Sequence, residues 1–438
     1  MACGQRRGDC GDTVNAIEAI ALPWRLAALF VAGIVLGSIA NAGIYRLGYR
    51  PRLLSPWLPG HPRDERSGWL DRLPIVGWIR LRRQSALHGR GWWMRPLSVE
   101  LLTGLLVAGL YAWHVAALGP LAQLLPPGVP PRAVLRAEMY PVFATQVVLT
   151  LFMVMAAFID LDEMVIPDSV TVWGTLTGLA LACLLPEGQL PDRVQLAAST
   201  GPGVLNQEIV GLRFVSPRPW PAVYDGAWGL GLGLGCYTAW CIALLPRLWR
   251  PRRGLLRAVR MFFAYLVRSG ELPRTGVLLV AGGAAITAVW ALGGERWQGL
   301  LSALVGMAGG GGLVWGVRIV VTWALDREAM GFGDVTLMAM VGAFLGWQAA
   351  WLAFLLSPFA AVVPSLLRLV LRGHREMPYG PYLCLSSLAV CLLWGTLWRF
   401  TLPMFALGWI MPAFIAAALV LTAAVLRIWR GLREGRTT

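Results

Sequence analysis

Four acidic residues lie close together between two apolar stretches that are each long enough to form a membrane helix. They are Asp160, Asp162, Glu163 and Asp168, within the sequence FIDLDEMVIPDSVT. An acidic side chain at a membrane boundary is costly unless it is paired or used, so the cluster is a candidate functional site. Asp160 is the strongest candidate, because its apolar stretch continues up to it. Asp168 could instead be the N-cap of the next helix, and Asp162 could be a solvated loop charge.

A further acid, Asp334, follows two glycines, Gly331 and Gly333, at the start of another apolar stretch. Glycines there permit a close backbone approach and a positive φ just before the acid. The same G-x-G-D residues could also form a turn followed by an N-cap. A rigid, non-helical entry to a later span is predicted around Pro378 and Gly380, in the sequence MPYGPYL.

The two leading acids, Asp160 and Asp334, could act as a pair. Carboxyl groups a few ångströms apart cannot both ionise easily, so they share one proton. The ionised group then acts as a general base toward water, and the protonated group polarises a carbonyl. Both residues are predicted at helix ends on one side of a membrane, so a helix bundle could bring them together.

The composition is that of a membrane protein, with 57% hydrophobic and 14% charged residues among 438. The net charge of +15 comes from arginine, since the sequence contains no lysine. The arginines cluster in loops 46–95 and 247–274 and in the tail 427–436, which argues against nucleic-acid binding and places these segments in the cytoplasm by the positive-inside rule. The fold class is therefore an all-α, polytopic transmembrane helix bundle of about eleven spans, with the N-terminus outside and the C-terminus cytoplasmic. The predicted spans are 26–46, 98–118, 141–159, 169–186, 225–246, 276–293, 298–325, 335–348, 349–371, 380–399 and 404–426.

Four parts of the chain follow from these spans. An N-terminal tail (1–25) precedes a domain at 26–118 that contains the Arg-rich loop 46–95. A membrane domain at 141–399 contains an insertion at about 187–275, and a last span and basic tail occupy 400–438. Segment 247–268 of the insertion is predicted to be an interfacial helix on anionic lipid or a docking surface for a partner. Glycine runs at 229–235 and 309–312 indicate close helix packing rather than a phosphate cradle.

Several motifs together resemble those of the bacterial prepilin peptidases (type IV leader peptidases). The similar stretches occur in the family's order and are GSIANAGIYRL at 37–47, LPIVGW at 73–78, RPLSVELLTG at 95–104, and the motifs at 160–168, 331–334 and 378–381. The resemblance implies an aspartic endopeptidase of the inner membrane that removes the basic leader of type IV prepilins or pseudopilins on the cytoplasmic side. It implies that Asp160 and Asp334 are the catalytic pair, with Asp162, Asp168, Gly331, Gly333, Pro378 and Gly380 in supporting or substrate-binding roles.

The resemblance also implies a second activity and further partners. Many family members N-methylate the new N-terminus with S-adenosylmethionine, and they act with pilus or type II secretion machinery. Proteolysis itself needs no cofactor. Two departures stand out: the zinc-binding cysteines of many members are missing from residues 53–92, so no metal is expected, and Thr336 replaces a usual lysine. The tryptophans of that loop (Trp57, Trp69, Trp78, Trp92, Trp93) are expected to hold it instead.

Two alternatives from other functional classes remain open at this point. Asp160 and Asp162 form a D-x-D, which could hold magnesium in a membrane transferase acting on lipid-linked phosphates. An acid pair could also serve as the proton relay of a transporter, although that function predicts acids within spans rather than at their ends.

Overall fold

The computed structural model describes most of the chain. The residues described are 17–49, 69–122, 124, 133–201, 204–214, 220–245, 271–326, 330–372, 378–408 and 410–434. Most of the predicted tail 1–25, Trp57 and the predicted interfacial segment 247–268 lie outside the described residues.

Long apolar helices dominate the described residues, and the predicted all-α membrane fold is confirmed. Eight helices are long and apolar enough to cross a bilayer, and three more are apolar but shorter. Every predicted span corresponds to one of these helices, whereas the exact span count and the orientation stay predictions. The helices are α1 Leu22–Leu47, the short α2 Val76–Leu81, α3 Met94–Tyr111, α4 Ala133–Glu163, α5 Asp168–Leu184, α6 Ala227–Ala243, α7 Glu271–Leu292, α8 Gly294–Leu325, α9 Phe332–Leu345, α10 Trp347–Arg372, α11 Gly380–Phe405 and α12 Ile410–Glu434.

One antiparallel β-hairpin departs from this helical pattern and lies within the predicted insertion. Its strands are β1, Pro191–Gly201, and β2, Val204–Phe214. Two indole groups of α11 fasten its first strand: Trp394 Nε1 donates to the Pro191 carbonyl and Trp398 Nε1 donates to Asp192 Oδ1, both at 2.7 Å. The hairpin is therefore tied to the bundle end opposite the start of α11.

Helices α1 and α3 form a tight pair. We call these two helices, together with residues 69–93, the N-terminal hairpin. A Cβ on Gly33 would lie 2.8 Å from Gly104 Cα, and one on Gly37 would lie 2.7 Å from Glu100 Cα. Glycine at both positions thus lets the two backbones touch, as is common where lipid supplies no hydrophobic force between helices.

Buried acids and two tryptophans organise the loop of the N-terminal hairpin. The Glu100 carboxylate accepts hydrogen bonds from Ile75 N at 2.6 Å and from Trp78 Nε1 at 2.8 Å. The fully buried Asp71 pairs with Arg80 and Arg83, each at 3.0 Å.

The expectation that tryptophans hold this loop is right only in part. Trp78 is buried and meets Trp92 edge to face, with ring centroids 6.0 Å apart. Trp69 is 72% exposed and does not contribute. The acids Glu100 and Asp71, which the sequence did not single out, supply the remaining contacts.

Helices α8 and α9 cross in backbone contact, and the packing role predicted for the glycine runs is found at some of their members. A Cβ on Gly306 would overlap the Gly342 carbonyl, and a Cβ on Gly342 would overlap the Gly306 carbonyl. Gly310, from the predicted run, comes similarly close to the carbonyl of Met338. The close crossing fixes α9, and hence its first turn, against the longer α8.

A glycine also resolves the soft boundary between the predicted spans 335–348 and 349–371. Helix α9 ends at Leu345, and α10 begins at Trp347. Gly346 between them has φ of 86°, a left-handed conformation that side chains disfavour. The chain therefore turns sharply enough for two adjacent helices to share one linking residue.

Candidate active site

Asp160 and Asp334 meet inside the bundle, although they lie far apart in the sequence. Asp160 is 4% exposed near the end of α4, and Asp334 is 7% exposed in the first turn of α9. The two carboxylates interact electrostatically, and both act on Cys384 of α11. Helices α4, α9 and α11 pack against one another, so the predicted juxtaposition of the two acids is present in the structure.

The start of α11 positions the Asp160 carboxylate. The backbone N–H of Gly380 donates to Asp160 Oδ2 at 2.9 Å. A Cβ on Gly380 would lie 2.6 Å from that same oxygen and 2.8 Å from Ile166 Cδ1, so glycine is required for the approach. The buried Pro378 precedes this contact, and Pro381 occupies the first turn of α11, where a missing N–H costs nothing.

The segment entering α9 positions Asp334 in a different way from the one expected. The Gly331 amide hydrogen-bonds the Asp334 carboxylate, and Gly331, not Asp334, is the N-cap residue. Gly331 has φ of −64° and Gly333 is helical, so neither adopts the positive φ that a glycine would permit. Gly333 is needed for space instead, because its Cβ would lie 2.8 Å from Ile166 Cβ. Ile166 thus touches both glycine segments of the site.

Three hydroxyl groups lie on the helix segments around the pair. Tyr379 and Ser357 share a hydrogen bond of 2.6 Å, which joins the residue before α11 to α10. Thr336, which stands where the family usually has lysine, donates to the Gly333 carbonyl at 3.0 Å. Thr336 therefore closes the first turn of α9 rather than bringing a charge.

Arg318 on α8 is a part of the site that sequence reasoning missed. Its Nε donates to the Met330 carbonyl at 2.9 Å, and its guanidinium carbon lies 5.8 Å from the centroid of the Phe332 ring. Its charge also acts on Asp334. The signal that could have found Arg318 is a permanent charge near the end of an otherwise apolar span.

Asp162 lies beside the pair but outside it. It forms an ion pair with Arg95 of the N-terminal hairpin, and Arg95 Nη2 also donates to the Phe158 carbonyl at 2.7 Å. The guanidinium carbon of Arg95 lies 5.4 Å from the Phe158 ring centroid. Asp162 is therefore a contact between the N-terminal hairpin and the helix end that carries Asp160, and not a solvated loop charge.

Glu163 and Ser169 make the same connection on the other side of the loop between α4 and α5. Glu163 Oε2 accepts a hydrogen bond from Tyr49 N at 2.8 Å, and Ser169 Oγ donates to the Leu47 carbonyl at 3.0 Å. Partial burial raises the pKa of the Tyr49 hydroxyl, and the nearby Asp168 and Glu163 carboxylates raise it further. The rim of the site is thus acidic.

The N-cap role considered for Asp168 is wrong. The N-cap residue of α5 is Pro167, which makes no side-chain capping hydrogen bond, and Asp168 is the first helical residue. The carboxylate still lies in the first helical turn, where the helix dipole favours a negative charge.

No metal-binding constellation is present in the part of the chain that the structure describes. No group of three or more His, Cys, Asp or Glu side chains is arranged there so that it could hold a metal ion. The D-x-D of Asp160 and Asp162 does not converge, because Asp160 is buried toward Asp334 while Asp162 points to Arg95. The absence of zinc from the whole chain stays a prediction.

Fold and site together define a multi-pass helical membrane protein with two aspartates buried between its helices. Residues 267–366, which include Asp334, match the type IV leader peptidase family. This part of the chain is therefore similar to that family.

Three curated relatives are each named "Prepilin leader peptidase/N-methyltransferase". The protein from Aeromonas hydrophila is 34% identical over 24% of this chain and 42% of its own. The protein from Pseudomonas aeruginosa is 36% identical over 21% of this chain and 33% of its own. The protein from Myxococcus xanthus is 28% identical over 54% of this chain and 63% of its own. The match thus spans between a third and two thirds of these relatives. No solved structure matches the chain.

Proposed function

We propose that this protein is a membrane aspartic endopeptidase that removes the leader of type IV prepilins or pseudopilins, with Asp160 and Asp334 as its catalytic pair. The observation that carries the proposal is the meeting of these two buried carboxylates at the helix ends predicted to face one side of the membrane. The family and the names of the relatives support the same substrate class.

The chemistry follows from a pair that holds one proton. The ionised carboxylate takes a proton from a water molecule as the water oxygen attacks the scissile carbonyl carbon, and the protonated carboxyl group polarises the carbonyl oxygen. As the C–N bond breaks, the leaving nitrogen receives a proton from the group that was the base. The amide of Gly380 orients one of the two carboxylates throughout.

The proposed location is the bacterial inner membrane, with the active site at the cytoplasmic face. The Arg-rich loop 46–95 joins α1 and α3 at the bundle end that carries the aspartate pair, as the Arg95–Asp162 contact requires. The acidic rim formed by Glu163 and Asp168 would attract a basic leader, because opposite charges concentrate a substrate at a cleft.

N-methylation of the new N-terminus with S-adenosylmethionine is a separate proposal that rests on the names of the relatives alone. The described residues present no side-chain set that identifies a site for this cofactor, so no step is assigned to it. Pilus and type II secretion assemblies are the proposed partners on the same basis.

The test is cleavage of a prepilin-like substrate, with a basic leader and an apolar helix, by purified wild-type protein, Asp160→Asn and Asp334→Asn. Each variant is expected to lose at least about 10³-fold in rate, since each removes one member of a pair that acts as a unit. EDTA should change nothing. Asp326→Asn is the matched control, because Asp326 is an exposed acid at the end of α8.

Two results would contradict the proposal. Cleavage that survives either substitution would remove the pair from the chemistry. Inactive wild-type protein that instead acts on a lipid diphosphate in a magnesium-dependent manner would favour the transferase alternative.

A further inference from the structure

Arg318 contacts both ends of the segment 330–332, which leads into the helix that carries Asp334. Its Nε–H donates to the carbonyl of Met330, the first residue of this segment, at 2.9 Å. Its guanidinium carbon lies 5.8 Å from the centroid of Phe332, the first residue of α9. The guanidinium group is planar and its hydrogen-bond donors are fixed in direction, so these contacts set both the backbone position and the orientation of the cation.

The charge of Arg318 matters because of the groups that surround Asp334. Four groups interact electrostatically with the Asp334 carboxylate. Asp160 does so from α4 and Arg318 from α8, and Tyr379 and Cys384 do so from the start of α11. Within this set Arg318 brings the positive charge, and an arginine keeps that charge at any working pH. A cation near two close carboxylates favours the states in which at least one of them is ionised.

We propose that Arg318 is a positioning residue for Asp334, which clamps the segment entering α9 and balances the negative charge of the aspartate pair. It acts on the reaction through Asp334 and touches no substrate. The consequence for cleavage rests on the proposed function, whereas the consequence for the protonation of Asp334 does not.

The experiment measures that protonation directly. Purified protein is treated with dicyclohexylcarbodiimide, which reacts with protonated carboxyl groups, over a range of pH, and labelling of Asp334 is quantified by mass spectrometry. Arg318→Gln removes the charge, and Arg318→Lys keeps it while losing the Nε donor. Arg25→Gln is the matched control, since Arg25 also combines one hydrogen bond (to Tyr111, 2.8 Å) with an aromatic contact (5.9 Å), on the N-terminal helix α1.

In Arg318→Gln the pH of half-maximal labelling is expected to rise by about 0.5 to 1 unit. The pH–rate profile of leader cleavage should move in the same direction. Arg318→Lys should keep the labelling curve near that of the wild type while lowering the maximal rate several-fold, because the clamp is loosened. Arg25→Gln should leave both curves unchanged.

Identical labelling curves for the wild type and Arg318→Gln would overturn the proposal, as would a lower yield of folded protein with unchanged curves. If Arg318→Gln does not fold, Phe332→Leu removes the aromatic contact alone and should raise the half-labelling pH by a smaller amount. If the half-labelling pH of Phe332→Leu does not rise, the clamp is contradicted. A labelling shift in a protein that cleaves no leader would refute the proposed function and leave the role of Arg318 intact.

Discussion

Two sets of buried carboxylates in this molecule have opposite surroundings. Glu100, in the N-terminal hairpin, is 1% exposed and accepts hydrogen bonds from Ser38 Oγ, Ile75 N and Trp78 Nε1. Asp160 and Asp334 are almost as buried, yet in the described part of the chain each accepts one backbone amide and faces the other acid. A carboxylate surrounded by donors is held in place and supports the local structure, whereas two facing carboxylates with few donors are available for chemistry.

The strongest test of this comparison is the free energy of unfolding of variants in both regions. Glu100→Gln places an NH₂ group where an oxygen now accepts hydrogen bonds, so the free energy of unfolding should fall by about 3 kcal/mol. Asp160→Asn should change it by less than about 1 kcal/mol, or stabilise, because it removes repulsion between buried acids. Thermal unfolding in detergent provides the measurement, and equal losses in the two variants would contradict the comparison.

The second prediction tests whether the Gly380 amide must reach Asp160. Gly380→Ala should lower the rate of leader cleavage by about 10²-fold, or about 2.7 kcal/mol, because the new Cβ displaces the carboxylate. Gly316→Ala on α8 is the control, since its Cβ would meet open space, and it should stay within about 2-fold of the wild type. A Gly380→Ala protein with normal turnover would show that the contact is dispensable.

The smallest expected effect concerns the contact between the two regions. Arg95→Ala and Asp162→Asn should each lower cleavage by about 10-fold, and the double variant should be no worse, because both remove one interaction. Stability should change by less than about 1 kcal/mol, since both side chains are partly exposed. The Arg430–Asp326 pair, at 2.6 Å, serves as a comparison, and its loss should leave cleavage unaffected. Additive losses at Arg95 and Asp162 would mean that the two residues act separately.

The sequence predicted the helices well, because apolar length is a local property. It also placed Asp160 and Asp334 at helix ends from which they could meet, and the two acids do meet in the structure. The contact of the Gly380 amide with Asp160 was not predicted. The positive φ that glycine permits next to Asp334 is not used, because Gly333 instead serves packing against Ile166, a contact between distant segments. Tertiary contacts of this kind leave no pattern in a single sequence.

The β-hairpin and the Glu100 centre were missed for different reasons. The sequence Gly-Pro-Gly at 201–203 lies where strand β1 ends and strand β2 begins. It is a turn signal that could have indicated the β-hairpin. Glu100 gave a weaker signal, an acid inside an apolar span, and its donors come from α1 and from residues 75–78. Only the folded N-terminal hairpin reveals that these donors converge on the Glu100 carboxylate.

The glycine crossing between α8 and α9 has a mechanical consequence. Because backbone meets backbone at Gly306 and Gly342, no side chains lie between the helices there that could change rotamer and let them slide. We therefore expect α8 and α9 to move as one rigid body that carries Arg318 and Asp334 together. Under the proposed function a peptide backbone enters between the two aspartates. The displacement that admits it would then fall to α4, which carries Asp160, and to α11, whose Gly380 amide binds that carboxylate.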